Sequence, residues 1–548
     1  MSRRAGSNFV VQGSILAVAG IIVRLIGILY RVPMTNIIGD EGMGYYSTAF
    51  NVYNIMLILS SYSLPVAVSK MISAKLAKRE YTNAYRILLS AFLYATIVGG
   101  IACFITWHFA DALATKLFAT PLAVYALKTL APTIWIMAYL GVLRGYFQGH
   151  STMIPTAVSQ ILEQIVNAVI SVVAAGILYN TGLKAAAAAG GTSYAEAFGA
   201  AGGTIGTGSG AFAAFLFCLC LFFFYRPTIR KHIAKDRHGE PDSYGYTTKV
   251  LFLTVIPVIL SSTVYNVNSV IDNGIMAHGM NMIGQGGSFL RLWGIYNNKY
   301  MLLVHVPLAM ANSLSSSLIP SLTAATARED QADQLAKTDL VIRFAMMIAI
   351  PAAVGLMVLA APVMNLLFHG GKNAEAIQMM IVGASAIVFL SLSTVTNAIL
   401  QGLGHMNEPV KNALISLISH IVVLVILLLV FRMGIYAMVF GNIFFSVCMC
   451  MLNHRSIRRY IPYRQEMRKA FIIPIVSSAI MGVVTFLIYR IFRLLIHSSA
   501  ASCLPAVFAA VLVYGAMLLR LHAVEESELA HMPGGRKIIG IARTFHLL

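Results

Sequence analysis

Runs of about twenty apolar residues recur along almost the whole 548-residue chain, and they constrain its fold more than any other feature. A helix of that length just crosses the hydrocarbon core of a bilayer. Because 58% of the residues are hydrophobic and only 11% are charged, a set of ordinary soluble domains is excluded. We therefore predict an all-α polytopic membrane protein of about 14 transmembrane helices. The predicted spans are 9–30, 45–66, 85–108, 124–147, 155–179, 204–225, 249–276, 294–320, 338–366, 376–400, 411–431, 434–452, 470–492 and 501–522.

Two stretches allow more than one interpretation. The first apolar run contains Ala17-Val18-Ala19, which imitates the cleavage site of a signal peptide, but the run continues to Tyr30. We therefore predict an uncleaved first transmembrane helix. The Gly/Ala-rich segment 184–210 has little charge for a soluble loop, and it predicts either an extracytoplasmic hairpin or a helix extension.

The distribution of Lys and Arg indicates the orientation of the chain. If the N-terminus is inside the cell, most of the 39 basic residues fall in segments on the inner side. This is the bias of cytoplasmic loops, and it explains the net charge of +19 without a nucleic-acid partner. The expected location is the plasma membrane of a bacterial cell, with both termini cytoplasmic.

Two short patterns recur at nearly the same separation. Gln148-Gly149 followed by Pro155 matches Gln401-Gly402 followed by Pro409, and Pro65 matches Pro320. These offsets span six predicted helices, an even number, so both halves would insert in the same direction. The chain then contains two six-helix lobes in a parallel pseudo-two-fold repeat, followed by two C-terminal helices.

The repeat sets the expected domain boundaries. Residues 1–230 form the N-lobe and 231–460 the C-lobe, while 461–525 hold the last two helices. Residues 526–548 form a cytoplasmic tail. Two lobes around a central site are the usual architecture of a transporter that works by alternating access.

The fifth span carries a polar stripe, which is unusual inside a membrane. Its five members are spaced so that they lie on one face of a helix, and they are Gln160, Glu163, Gln164, Asn167 and Ser171. A carboxylate and amides cannot face lipid cheaply, so the stripe must face protein or a watery cavity. It either joins helices as a polar seam or lines a transport cavity.

The first span carries two cations. Arg24 and Arg31 share a helical face with Gly20 and Gly27, and glycine lets another group approach closely. Arg24 lies deep in the span, so we expect it to face inward. The alternatives are an ion pair between Arg24 and a helix carboxylate, and an Arg31 that extends to the lipid headgroups.

Asp272 is the second carboxylate predicted within the membrane. On the seventh span it could pair with Arg24 or Lys299, or it could bind a coupling cation. Alternatively it lies near the outer headgroups. The sequence shows no GxxxxGK[ST], no HExxH and no metal-ligand cluster, so we expect no cofactor, no metal and no enzymatic activity.

A long motif links the fourth and fifth spans. RGYFQG, from Arg144, is followed by M-x-PTAVSQ-x-x-EQ, which ends at Gln164. It resembles the MurJ/SpoVB-type lipid flippases of Gram-positive bacteria, within the superfamily of multidrug and oligosaccharidyl-lipid exporters. The resemblance implies a flippase that moves a polyprenyl-diphosphate-linked saccharide, foremost lipid II, from the inner to the outer leaflet during peptidoglycan biosynthesis.

The resemblance also implies which residues bind substrate. Relatives in the Gram-negative branch carry R-x-x-G-x-x-R in the first helix, and Arg24-x-x-Gly27-x-x-x-Arg31 is one residue longer, so only Arg24 matches cleanly. They also carry Tyr-x-x-Arg at the entry to the eighth span, where this chain has Tyr296-Asn-Asn-Lys299. Together with Gln160, Glu163 and Asn167, these would form the cavity.

The expected partners are the lipid-linked saccharide, membrane lipids, and a coupling cation or the membrane potential, with the protein acting as a monomer. Three other functions stay open. The chain could flip another lipid-linked polysaccharide unit, or export drugs in exchange for cations. A polytopic glycosyltransferase is a further alternative, but the longest outer loop has only Glu196 as a catalytic candidate.

Overall fold

The computed structural model describes residues 2–189, 193–234, 236, 241–369, 373–496 and 498–523. Helices dominate this part of the chain, and it contains no strand. The predicted tail from 526 onward lies outside the described residues.

The helices of the first half are α1 (Ser2–Leu57), α2 (Leu64–Ala77), α3 (Tyr81–Tyr94), α4 (Gly100–His108), α5 (Ala110–Ala112), α6 (Val124–Gly149), α7 (Ile154–Ala189), α8 (Ser193–Ile233), α9 (Tyr244–Asn266), α10 (Asn268–Met282) and α11 (Gly286–Ile295). Those of the second half are α12 (Met301–Ala327), α13 (Gln331–Val358), α14 (Ala360–Leu367), α15 (Ala374–Gly383), α16 (Ser385–Gly402), α17 (Asn407–Val425), α18 (Tyr436–Tyr460), α19 (Ile473–Ile496) and α20 (Ser499–Arg520). Short π-helical segments lie at Ile58–Tyr62, Ala95–Gly99, Leu113–Leu117, Tyr296–Tyr300, Ile426–Val430 and Arg468–Ile472. A 3₁₀ turn lies at Pro121–Ala123.

Twelve continuous helical stretches within the described residues are long and apolar enough to cross a membrane. The first, Val18–Ala77, covers two predicted spans, because the backbone breaks at Gly39 (φ 71°, ψ 179°) without ending the stretch. Large apolar side chains are exposed along these helices, as a lipid-facing surface requires. The prediction of an all-α polytopic membrane protein is confirmed, with a count of fourteen as an approximation.

The chain packs as two compact units, residues 1–298 and 299–548. The first unit therefore includes α9, α10 and α11, which the internal repeat assigns to the second lobe. Packing and repeat ancestry are different properties, so this division does not test the predicted boundaries at 230 and 460. Those boundaries stay a prediction.

Each unit contains the same local contact at the end of one helix. In the first, Ser73 Oγ donates to the carbonyl of Gly149, the last residue of α6, over 2.9 Å. In the second, Thr326 Oγ1 donates to the carbonyl of Gly402, the last residue of α16, over 3.3 Å. The equivalent contacts support the repeat that the Gln-Gly pairs predict.

On both sides of residues 190–192, which lie outside the described residues, the Gly/Ala-rich segment extends a helix. Its first part completes α7 and its second part begins α8. Gly202, Gly206 and Gly210 recur every fourth residue along α8. A Cβ on any of them would collide with α7, at Ala174, Ser171 and Glu163 respectively. Small residues at this spacing let two membrane helices pack closely.

Candidate functional site

A buried arginine neutralises the carboxylate of the polar stripe. Arg144, on α6, is 7% exposed. Its Nη2 donates to Glu163 Oε2 over 2.8 Å, and its Nε donates to Ser159 Oγ over 2.9 Å. Ser159 and Glu163 are four residues apart on α7, so they present adjacent side chains to the guanidinium. The charge of Glu163 is therefore balanced within the first unit.

Close packing on the other side of α6 holds this arginine in place. Gly141, Gly145 and Gly149 lie on α6 every fourth residue, and a Cβ at each would contact the polypeptide of the Ile58–Ala77 stretch. Helix α6 can therefore approach that stretch closely. Because one face of α6 is fixed in this way, Arg144 is held towards α7.

The far half of the polar stripe joins α7 to α8. Asn167 and Ser171 are buried. Ser171 Oγ lies 2.8 Å from both Asn167 Oδ1 and the carbonyl of Gly203 on α8. Thr207 Oγ1 donates to Asn167 Oδ1 over 3.4 Å. These contacts match the polar seam rather than an open cavity wall.

The near half of the stripe is more accessible. Gln160, Glu163 and Gln164 are half-buried, and Asn167 Nδ2 donates to Gln164 Oε1 over 3.3 Å. The stripe therefore changes from a sealed contact at Ser171 to partly accessible side chains near Gln160. A transport role for the accessible half stays a prediction.

Arg31 contacts two tyrosines. Its guanidinium lies beside the hydroxyls of Tyr30 and Tyr46, which are 3.0 Å apart. Tyr46 also contacts Thr207, and both tyrosine rings are buried. Because Arg31 is half-buried and tied to these hydroxyls, it differs from an arginine that extends into headgroups.

Arg24 has a different environment. Its side chain is exposed, and no hydrogen bond or ion pair joins it to any part of the chain that the structure describes. A Cβ on Gly20 or Gly27 would meet no described atom within 4 Å. The face that these three residues share therefore opens onto space. An ion pair with a helix carboxylate is not found for Arg24 among the described residues.

Lys299 and Asp272 are both deeply buried. Lys299, in the second unit, is 2% exposed; its Nζ donates to Asn373 Oδ1 over 3.0 Å and lies 5.4 Å from the ring centre of Phe368. Lys299 also belongs to a π-helical segment, a distortion common at functional positions. Asp272, in the first unit, is 1% exposed on α10.

The structure thus joins some predicted residues and separates others. Gln164 and Asn167 are hydrogen-bonded to each other on α7, Glu163 is paired separately with Arg144, and Arg24 lies outside both groups. Arg144 was not among the residues predicted for the site, although it begins the RGYFQG motif. A signal existed, because Arg144 falls inside the predicted span 124–147. No group of three metal-binding side chains occurs within the described ranges.

Comparisons with known proteins show which family and which relatives this chain is similar to. A family model described as "Polysaccharide biosynthesis protein" matches residues 10–326. Stage V sporulation protein B of Bacillus subtilis (strain 168) is 24% identical over 98% of this chain and 100% of its own length. The lipid II flippase MurJ of the same organism is 24% identical over 86% of both chains.

Two solved structures share the fold. A lipid II flippase MurJ in an inward closed conformation superposes with a TM-score of 0.65 at 15% identity, covering 92% of this chain and 97% of that one. An inward-facing multidrug resistance MATE family transporter of the MOP superfamily gives a TM-score of 0.62 at 16% identity, with 80% and 98% covered.

Proposed function

This chain belongs to the polysaccharide biosynthesis protein family, and from that premise we propose that it is a flippase for a polyprenyl-diphosphate-linked saccharide. Lipid II, the precursor of peptidoglycan, is the foremost substrate. The direction is from the inner to the outer leaflet. Similarity to a lipid II flippase over 86% of the chain supports this assignment, as does the shared fold.

The observation that carries the proposal is the environment of Arg24. An arginine within a membrane helix is costly, by about 2.5–3.5 kcal/mol at the centre on insertion scales. Arg24 has no counter-charge among the described residues, and the glycines on its face leave room beside it. A diphosphate headgroup supplies the missing negative charge. The planar guanidinium can bind it through two parallel hydrogen bonds.

The other candidate residues have distinct proposed roles. Gln160 and Gln164 offer amides to the sugar hydroxyls at the accessible end of the stripe. Arg31 and Lys299 add positive charge to the pathway of the headgroup. Asp272 balances charge or binds a coupling cation. The Arg144–Glu163 pair positions α7 and places Glu163 at the accessible end of the stripe.

Transport by alternating access follows from this assignment. Two helical lobes that rock about a central site would expose the headgroup to each side of the membrane in turn. The polyprenyl tail would stay in lipid throughout. Either the membrane potential or a cation gradient would then supply the energy, and the protein would act as a monomer.

A second function within the superfamily is cation-coupled multidrug export, which the TM-score of 0.62 to a MATE transporter supports. Such an exporter binds cationic drugs, so it requires carboxylates in its cavity. In the first unit, the carboxylate of the polar stripe is already paired with Arg144, which favours the flippase.

Depletion of the protein in its host tests the proposal. Accumulation of lipid II on the inner leaflet, measured by mass spectrometry and by its accessibility to an impermeant reagent, is the expected result. Accumulation of a different lipid-linked saccharide would identify that saccharide as the substrate and leave the proposed mechanism unchanged. Unchanged lipid-linked precursors together with increased drug sensitivity would support the exporter instead.

A further inference from the structure

The second unit contains a cavity that the transport proposal does not use. It measures about 290 Å³ and lies between α13, α16, α18 and the linker from α18 to α19. Most of its wall is hydrocarbon, contributed by residues that include Ile342, Leu392, Ile457 and Phe471. Such a wall accepts an apolar ligand of modest cross-section.

Part of the cavity wall is polar. Thr396, His454 and Tyr463 line it. The hydroxyl of Tyr463 lies beside the Asp339 carboxylate and the side chain of Gln465. Burial raises the pKa of Tyr463, so this phenol stays protonated. The cavity therefore has a mainly apolar wall with a few hydrogen-bonding side chains.

The cavity lies at the end of a membrane-spanning helix. Helix α18 is one of the twelve apolar stretches, and the cavity uses only its final turns. Two methionines of the cavity wall reach the protein surface, Met451 at 60% and Met467 at 55% exposure. An apolar side chain exposed at a span end faces the boundary between lipid and water.

Exposed cations lie close in sequence to the wall residues of α18 and the linker. Arg455 and Arg458 follow Met451 on α18, and Arg464 and Arg468 flank the linker residues of the wall. All four are exposed. Between 455 and 469 the sequence contains one carboxylate, Glu466, and Asp339 approaches from α13. The net charge of this segment is therefore positive.

We propose that this cavity binds an anionic phospholipid of the surrounding bilayer. One acyl chain enters the apolar cavity, the ester region reaches the His454 side chain, and the phosphate binds the neighbouring exposed arginines. Charge complementarity selects an anionic headgroup, and the exposed methionines place the opening where such headgroups lie. The positive-inside distribution assigns the site to the cytoplasmic leaflet.

Quenching of an introduced tryptophan tests this site directly. The full-length Met451→Trp variant is reconstituted with lipids whose acyl chains carry bromine. Bromine quenches the fluorescence of a nearby tryptophan. Its added fluorescence over that of the parent protein is measured with brominated phosphatidylglycerol and with brominated phosphatidylcholine. We expect the anionic lipid to bind about fivefold more strongly or better, since each surface cation contributes about 1 kcal/mol.

Matched variants separate the site from general lipid contact. Val483→Trp, at an exposed position of α19, should show no preference between the two lipids. Arg455→Gln with Arg458→Gln should remove the preference at position 451. Arg226→Gln with Arg230→Gln, on the exposed basic end of α8, should leave it unchanged. Equal quenching of Trp introduced at 451 by both lipids would overturn the proposal.

Filling the cavity tests entry of the acyl chain. Leu392 lines the cavity, whereas Leu390, on the same helix and also half-buried, does not. Leu392→Phe should therefore abolish the preference while Leu390→Phe retains it. A preference that survives Leu392→Phe would refute acyl-chain entry. A preference for undecaprenyl phosphate with none for phosphatidylglycerol would refute the phospholipid and point to a substrate-like lipid.

Discussion

Arg144 and Glu163 form an ion pair across α6 and α7, with 2.8 Å between Nη2 and Oε2 and with 9% and 19% of their side chains exposed. Attraction between the two charges offsets the cost of removing them from water only while both are present. Loss of one partner leaves the other charge buried without compensation. The pair therefore makes the junction of these two helices sensitive to single substitutions.

Glu163→Gln should destabilise the protein by about 3 kcal/mol, because it leaves the Arg144 guanidinium uncompensated. Thermal unfolding in detergent, followed by loss of monodisperse protein, measures the effect. Replacing both partners, as Arg144→Leu with Glu163→Leu, should restore most of the stability. Glu408→Gln, which breaks an ion pair whose lysine is exposed, should change it little. A Glu163→Gln protein as stable as the parent but inactive would instead make Glu163 a transport residue.

The glycine contacts between α7 and α8 give a second prediction. Gly206→Ala should lower the free energy of unfolding by about 1–3 kcal/mol, because its Cβ would collide with Ser171. Gly176→Ala is the matched control, since no described atom lies within 4 Å of a Cβ there. That substitution should be neutral or slightly stabilising, as alanine favours helix. Equal effects of the two would show that α7 and α8 do not pack closely at Gly206.

The sequence predicted the membrane architecture well, because apolar length is a local property that the bilayer imposes. It also predicted that the polar stripe on the fifth span shares one helical face. What it could not predict was the partner of each polar group. Whether Glu163 meets Arg144 or a cavity depends on how α6 is rotated, and the glycines of α6 determine that rotation through contacts distant in sequence. Arg24 shows the same limit, since its depth follows from the sequence but its surroundings do not.

Topology can be tested without disturbing any charge. Single cysteines at Ala234 and Pro462, both exposed and beside basic segments, should label only with a membrane-permeant reagent in intact cells. A cysteine at Thr115, exposed on a segment assigned to the outer side, should label with an impermeant one. The six native cysteines are first replaced by serine or alanine. Labelling of position 234 or 462 from outside would reject the predicted orientation.

Arg24 gives the most direct test of the substrate site. Arg24→Ala should abolish translocation of lipid II in reconstituted vesicles while the protein still inserts, because removal of a membrane-embedded charge makes insertion easier. Arg24→Lys should retain partial transport if charge alone binds the diphosphate, and little if two parallel hydrogen bonds are needed. Membrane abundance and thermal stability are measured alongside transport.

The matched control for Arg24 is another arginine on an apolar helix. Arg490, on α19, is exposed and lies 5.2 Å from the ring centre of Phe486. Arg490→Ala removes the same charge from a helix outside both predicted six-helix lobes, so transport should persist. If the Arg24→Ala protein transported lipid II as well as the Arg490→Ala protein does, the diphosphate would have to bind elsewhere. Loss of transport in Arg24→Ala alone, at normal abundance, would place the headgroup on the open face of α1, since no other described side chain there competes for the guanidinium.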